Sequence, residues 1–322
     1  MRGTKRMARL PRSILRPMLA TLVDAPFDDD AFVFETKWDG FRVIAQIGEG
    51  MARLLSRNGN DVTDAYPRIA KVLAGIRHSA VIDGELVALD NQGRSRFQLL
   101  QEARKKSGGR LRYCVFDLMY LDGRDLRRMP LVERKRRLYR ILPGSALIRF
   151  SRHVRRNGVR AFRLAQRRGL EGVIAKTAEG QYYSGRRTRE WLKIKSANQQ
   201  ETVVIGFTQP RRSRKYFGAL ALAVRQGRAW RYVGHTGTGF NAESLKAIHA
   251  KLVKLVSARK PVSDKVPNER ATTWVRPRLV AEVKFTEWTK DGRMRHPVFL
   301  GLRTDKPASL VVRERPKRAR RI

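Results

Sequence analysis

Apolar positions recur with two periods along this chain, and each change of period marks a new element. Tyr66, Ile69, Leu73 and Ile76 return at three- and four-residue steps, which predicts an amphipathic helix ending near Arg77. Leu131 to Leu142 predicts a second helix. A third is expected from an Asn157 cap to Gly169, since glycine readily takes the left-handed conformation that ends helices. Between them Val81 to Leu89, Tyr113 to Leu121 and Leu170 to Lys176 read as strands. A period of two also governs Phe32 to Lys37: Phe32 and Phe34 share one face, Glu35 and Lys37 the other, and Asp39-Gly40 then turns the chain. Residues 1–30 read as irregular, broken by Pro11, Pro17 and Pro26, and the first fifteen form a basic lead-in. Strands and helices mixed in this way predict an α+β domain.

After Lys195 the pattern turns polar through Ser196-Ala197-Asn198-Gln199-Gln200-Glu201, where a hinge is expected. The chain therefore divides into residues 1–197, residues 198–312 and a basic tail at 313–322. In the second part Thr202 to Phe207, Ala219 to Arg225, Ala229 to Val233, Leu279 to Phe285 and Val298 to Leu302 read as short strands. A helix from an Asn241 cap to about Ser257 interrupts them. Five strands and one helix fit an OB-fold barrel, and an SH3-like barrel has a similar signature.

The 322 residues are enough for two separate cores. Lys and Arg total 70 against 29 acidic residues, a formal net charge of +41. Such an excess repels itself in a compact chain, so a polyanion is the expected partner, with nucleic acid first. The cations are scattered through strands and helices rather than gathered on one amphipathic helix, which argues against a membrane surface. No apolar run approaches the roughly 18 residues that span a bilayer. No apolar signal core follows the basic start Met1-Arg2-Gly3-Thr4-Lys5-Arg6, so an intracellular protein is expected. The single cysteine, Cys114, lies in an apolar run and excludes both an intramolecular disulfide and a cysteine-held zinc.

Lys37 is the candidate nucleophile. Arg42 returns a second cation toward it, and nearby positive charge with partial burial lowers a lysine pKa. Asp83 and Glu85 share one strand face between Val81 and Val87, which fits a cleft floor or an ion pair with arginine. Glu171 opens an apolar strand. Lys193 and Lys195 share the face opposite Leu192 and Ile194, which fits a phosphate-facing wall or a charged sheet edge.

The segment Glu35-Thr36-Lys37-Trp38-Asp39-Gly40-Phe41-Arg42 resembles the nucleotide-binding motif of the covalent nucleotidyltransferases, the superfamily of ATP-dependent polynucleotide ligases and mRNA capping enzymes. Further segments resemble the other family motifs in the same order: Ser56-Arg57-Asn58-Gly59, Asp83-Gly84-Glu85, Val115-Phe116-Asp117, Glu171-Gly172, Lys193-Ile194-Lys195 and Arg295 to Lys306. Phe285 to Gly292 looks most like the ligase module of bacterial non-homologous end-joining proteins. The resemblance implies a nucleotidyltransferase domain followed by an OB-fold domain. It implies that Lys37 attacks the α-phosphate of ATP, with Glu35 and Thr36 at the adenine edge, Arg42 at the ribose and Phe116 stacked on the purine. Glu85 and Glu171 would hold Mg²⁺ or Mn²⁺, and Glu85 would also support the sugar. Lys193 and Lys195 would face the transferred phosphate, while Arg295, Arg303 and Lys306 would meet the β- and γ-phosphates. Arg57 would contact the 5′-phosphate and Phe97 would enter the minor groove beside the nick. Eukaryotic replicative ligases carry phenylalanine where this chain has His296, so no aromatic wedge is expected there.

The activity so implied is ATP-dependent sealing of 5′-phosphate/3′-hydroxyl nicks in double-stranded DNA, through a lysyl-adenylate and a DNA-adenylate, in repair or double-strand end joining. The implied setting is a monomer in the bacterial cytoplasm at the nucleoid, with a Ku-type ring as a further partner. The alternatives are an RNA ligase or capping guanylyltransferase of the same superfamily, and a non-catalytic module that bridges DNA ends.

Overall fold

Runs rich in β-branched and aromatic residues pair into three sheets in a computed structural model of the chain, which describes residues 11–103, 110–210 and 214–319. The described residues fall into two units. One comprises the residues up to 196 together with 316–319, the other residues 197–315.

The first unit holds two of the sheets. In one, the strands follow the order Met51–Ser56, Phe41–Gly48, Ala80–Leu89, Arg110–Leu121 and Arg124–Asp125, each antiparallel to its neighbour. Ile148–Phe150 adds to it, parallel to Arg110–Leu121. In the other sheet the order is Leu19–Leu22, Arg187–Lys195, Gly172–Thr177, Asp29–Thr36 and His153–Arg156. Alternation gives each sheet two apolar faces. Val43, Ala45 and Ile47 pack with Ile69 and Leu73 of the helix Pro67–Ala74, and with Leu138 of the helix Leu131–Ile141. From the opposite face Ile44, Val81, Phe116 and Met119 meet Tyr182 and Trp191, so the two sheets stack on one another. Beyond the second sheet, Phe34, Val173 and Ile194 pack with Phe162 and Ala165 of the helix Gly158–Arg167. The helices Pro67–Ala74 and Gly158–Arg167 cover the outer faces.

In the second unit the strands run Ala229–Thr236, Leu220–Gln226, Asn198–Thr208, Val280–Phe285 and Val298–Arg303, and Thr272–Trp274 also pairs with Asn198–Thr208. A bridge between Thr238 and Val298 brings the last strand back beside the first and curls the sheet into an OB-type barrel. Val204, Leu222, Val233, Val283 and Phe299 fill it, with Ile248 and Leu252 of the helix Ala242–Val253. The Asn241 side chain accepts from the Ser244 N–H at 2.7 Å, and the Ser244 hydroxyl accepts from the Asn241 N–H at 2.9 Å. Asn241 is the cap read in the sequence, and the return bond to Ser244 completes a capping box.

Some boundaries differ from expectation. Among the described residues of the lead-in, a 3-10 helix spans Arg12–Leu15 and a strand spans Leu19–Leu22, because Ile14 and Met18 bury between the sheets. Its first ten residues lie outside the described part. The tail expected from residue 313 is also paired. The Lys317 N–H donates to the Leu22 carbonyl at 3.0 Å and its carbonyl accepts from the Asp24 N–H at 3.2 Å, so two separate chain segments build the first unit. Asn157 precedes its helix without a side-chain cap bond, and the helix after Asn241 ends at Val253, short of Ser257.

Candidate active site

Lys37 lies one residue past the strand Asp29–Thr36, and its N–H donates to the Gly172 carbonyl at 3.0 Å. The neighbouring chain thereby brings the Lys37 ammonium onto the Glu171 carboxylate, in an ion pair whose side chains are 18% and 9% exposed. The turn that follows is tight. At Gly40 a Cβ would overlap the Leu86 carbonyl oxygen, so glycine is what lets the chain pass into the strand Phe41–Gly48. Asp39 pins that turn: its N–H donates to Ser95 Oγ at 3.0 Å, and its carboxylate accepts from the Phe97 N–H at 3.2 Å.

Arg42 forks onto Asp83, with Nε to Oδ1 at 2.5 Å and Nη2 to Oδ2 at 2.6 Å, and the Tyr182 hydroxyl donates to the same carboxylate at 2.6 Å. Burial opposes the charge on Arg42, but the Asp83 carboxylate outweighs it and raises the guanidinium pKa. The second cation expected near Lys37 is thus neutralised by its own partner. Of the two acids expected on one strand face, Asp83 is buried and committed to Arg42, while Glu85 is half-buried and stands opposite Arg42 in the ladder.

Phe116 and Trp191 meet edge to face with ring centres 6.0 Å apart. Lys176 Nζ lies 4.3 Å from the Phe116 ring centre and 4.2 Å from that of Trp191. Glu35, 3% exposed, accepts from Lys135 at 2.7 Å and from Lys176 at 3.1 Å. Burial by itself would raise its pKa; the two lysines reverse the direction and hold it below the usual carboxylate range. Both Glu35 oxygens therefore engage buried lysines. Thr36 is half-buried and pairs with Val173 in the ladder.

Lys193 and Lys195 alternate with buried Leu192 and Ile194, as the sequence pattern requires, and stand opposite Ile174 and Gly172. Arg57 is half-buried in the turn after Met51–Ser56, which the Gly59 N–H closes onto the Ser56 carbonyl at 2.8 Å. Phe97 requires a correction. It is 2% exposed with its ring centre 5.3 Å from that of Phe41, so it is a core residue rather than a wedge presented to DNA.

The three cations expected at the β- and γ-phosphates are each paired with carboxylates of the second unit. Arg295, exposed, pairs with Glu287 at 3.0 Å. Arg303 binds both oxygens of Asp305 at 2.8 and 2.7 Å, with Glu282 at 3.8 Å, and Lys306 is joined to Glu201. Burial pulls the Arg303 pKa down, yet Asp305 and Glu282 carry it well up. His296 is exposed, with a backbone φ of 49°.

Family models of the ATP dependent DNA ligase domain and of the ATP dependent DNA ligase C terminal region match residues 17–195 and 213–306. The chain belongs to the ATP-dependent DNA ligase family. This ligase chain is 41% identical over 312 residues to the multifunctional non-homologous end joining protein LigD of Pseudomonas aeruginosa, a match covering 94% of this chain and 37% of that protein. It is 31% identical over 195 residues to the SPbeta prophage-derived DNA ligase-like protein LigB of Bacillus subtilis, covering 60% of this chain and 72% of that one. A solved structure of mycobacterial DNA ligase D, complexed with ATP and MES, is similar at a TM-score of 0.72 and 34% identity, over 95% of this chain and 100% of that chain.

Two lysines of this candidate site were not singled out by sequence. Lys135 occupies the apolar stripe of its helix between Leu131 and Leu138, and Lys176 ends the otherwise apolar run of Gly172–Thr177. A cation in either place is the signal of a buried ion pair. Burial, reinforced by Lys135 and opposed by Glu35, pushes Lys176 down to about 8 from 10.5. Between those values the unfolded chain binds a proton that the native chain does not, so stability should rise with pH across the window. The shift corresponds to roughly 3 kcal/mol. In urea titrations across this window the parent protein should gain stability relative to Lys176→Met. Parallel curves would exclude the depressed lysine.

Proposed function

We propose that this chain adenylylates itself on Lys37 with ATP and then seals 5′-phosphate/3′-hydroxyl nicks in duplex DNA. The observation that carries the reading is Lys37 itself, partly exposed at a strand end and held on Glu171. The Lys37 ammonium leaves Glu171 and gives up a proton. Its nitrogen forms a bond to the α-phosphorus and releases a second proton to solvent, and the bond to the bridging oxygen breaks with its electron pair going to pyrophosphate. A 5′-phosphate oxygen of DNA next attacks that phosphorus, and the P–N bond breaks to return Lys37. The 3′-hydroxyl, losing its proton, then attacks the 5′-phosphorus and expels AMP.

Lys193 and Lys195 would stabilise charge on the nonbridging oxygens. Phe116 would stack on the purine, Glu35 and Thr36 would border the adenine, Arg42 would meet the ribose and Arg57 the 5′-phosphate. Glu85 and Glu171 offer hard carboxylate oxygens, and Mg²⁺ or Mn²⁺ takes one or two of these with substrate phosphates completing its shell. When bound, such an ion would offset phosphate charge. Phosphate oxygens would have to replace Glu287, Asp305 and Glu201 at Arg295, Arg303 and Lys306 for these cations to act on the β- and γ-phosphates.

The proposed setting is a monomer at the bacterial nucleoid. Among the described residues no helix is long and apolar enough to cross a membrane. A nick is held together by its template, whereas two free ends must first be brought together. We therefore assign a Ku-type ring the role of tether in end joining. The test is incubation with α-labelled ATP followed by a chase onto nicked duplex, then blunt ends with and without Ku. Label should pass from protein to DNA as the nick closes, and blunt joining should depend on Ku. Preference for labelled GTP, or for nicked RNA, would move the assignment to a capping enzyme or an RNA ligase. Absence of any labelled protein would leave a DNA-bridging module. Blunt joining indifferent to Ku would remove the partner.

A further inference from the structure

Met18, Arg42, Asp83 and Tyr182 come from separate segments of the first unit and close a ring of hydrogen bonds. The Met18 N–H donates to the Tyr182 hydroxyl at 2.8 Å, that hydroxyl donates to Asp83 Oδ2 at 2.6 Å, and Asp83 holds the Arg42 fork. Arg42 Nη2 reaches back to the Met18 carbonyl at 3.4 Å. Met18, Asp83 and Tyr182 are buried. Arg42 opens outward from them: its side chain is 21% exposed, and its Nη1 has no hydrogen-bond partner among the described residues.

Tyr182 does not need its hydroxyl to stay in place. Its N–H donates to the Arg127 carbonyl at 2.8 Å, and its ring meets Trp191 edge to face with centres 5.6 Å apart. The bond accepted from Met18 fixes the phenol oxygen, so the phenol proton is directed at Asp83. Burial and then the Asp83 charge raise the Tyr182 pKa well above the ordinary phenol value, so the group keeps the proton it donates. A carboxylate forked by a guanidinium can turn together with its partner. A third donor on Oδ2, anchored in another segment, removes that freedom.

We propose that Tyr182 is a positioning residue for ATP binding: its hydroxyl, pinned between Met18 and Asp83, fixes the Asp83 carboxylate and so the direction in which Arg42 presents Nη1 to the ribose. The proposal deepens the ligase reading above and rests on the place given there to Arg42. Lys37 is paired with Glu171, outside the ring, so the effect should fall on ATP binding rather than on the chemical step.

The test uses the full chain with Tyr182→Phe, with Arg42→Lys, and with both. Phenylalanine keeps a ring against Trp191 and removes only the hydroxyl. Lysine keeps a cation for Asp83 without the fork. Adenylate formation from α-labelled ATP is followed without DNA over a range of ATP concentrations, and urea unfolding is measured for each variant. Tyr182→Phe should raise the half-saturating ATP concentration about tenfold, the usual scale for one hydrogen bond to a charged group, with a saturating rate within about twofold of the parent. Added to Arg42→Lys it should cost less than about twofold more, because the fork it serves is already gone. An unchanged half-saturating concentration would overturn the proposal whatever the loss of urea stability, since the hydroxyl would then serve packing alone. A loss confined to the saturating rate would overturn it as well. So would a Tyr182→Phe effect that multiplies in full with that of Arg42→Lys, because the hydroxyl would then act independently of Arg42. If the parent forms no adenylate, the ligase reading falls and takes the proposal with it; adenylate from the parent with an unaltered Tyr182→Phe removes the proposal alone.

Discussion

Replacing Lys37 with alanine is expected to abolish the covalent protein adenylate while leaving the closure of a nick that already carries AMP on its 5′-phosphate. The first step needs a nitrogen lone pair at the end of Asp29–Thr36, and alanine supplies none. In a pre-adenylylated nick the bond that Lys37 helps to make is already formed, and the attack by the 3′-hydroxyl does not need the lysine as nucleophile. The substitution has a structural side effect, because Glu171 is 9% exposed and loses its ion-pair partner. Lys37→Arg separates the two roles. It keeps a cation for Glu171, but a guanidinium that stays protonated is no nucleophile. Both variants should therefore give no labelled protein from α-labelled ATP, and both should close the pre-adenylylated nick. A labelled band in either variant would contradict the assignment of the nucleophile. Failure of both on the activated nick would show that Lys37 acts beyond the first step.

The parts of this site that were legible in the sequence are those set by local alternation. Lys193 and Lys195 face away from Leu192 and Ile194 because a strand buries one face, and nothing distant is needed to see it. The Asn241 cap is equally local, its partner Ser244 being three residues on. What could not be read depends on partners far along the chain. Glu35 reads in the sequence as a polar position of an alternating strand, yet its surroundings are set by Lys135 and Lys176, 100 and 141 residues later. Leu19–Leu22 was read as irregular because four residues make a weak pattern, and its neighbour is Arg187–Lys195. Phe97 illustrates the ambiguity of an aromatic residue. A wedge and a core ring have the same local sequence, and only the packing against Phe41 decides between them.

Arg134→Met is expected to cost about 3–5 kcal/mol of unfolding free energy, because it strands a carboxylate where water cannot replace the lost partner. Arg134 and Asp117 both have fully buried side chains, joined by Nε to Oδ1 at 2.7 Å and Nη2 to Oδ2 at 2.9 Å. The same guanidinium donates to the Gly180 carbonyl at 2.9 Å and to the Met129 carbonyl, so one side chain ties a helix to a strand and to the loop leading to Tyr182. Tyr182 in turn donates to Asp83, the partner of Arg42, so loosening the loop should weaken nucleotide binding as well as stability. Removing both charges gives the opposite expectation. A buried pair replaced by apolar side chains of similar volume is often neutral, so Asp117→Leu added to Arg134→Met should recover at least half of the loss. The recovery should be incomplete, because Asp117 also accepts from the Leu118 N–H at 2.8 Å. Urea unfolding of the parent, the single variant and the double variant provides the comparison. A single-variant loss below about 1 kcal/mol would mean that water reaches Asp117 in the native state. A double variant no more stable than the single one would mean that the carbonyl contacts of Arg134, rather than the stranded charge, dominate its contribution.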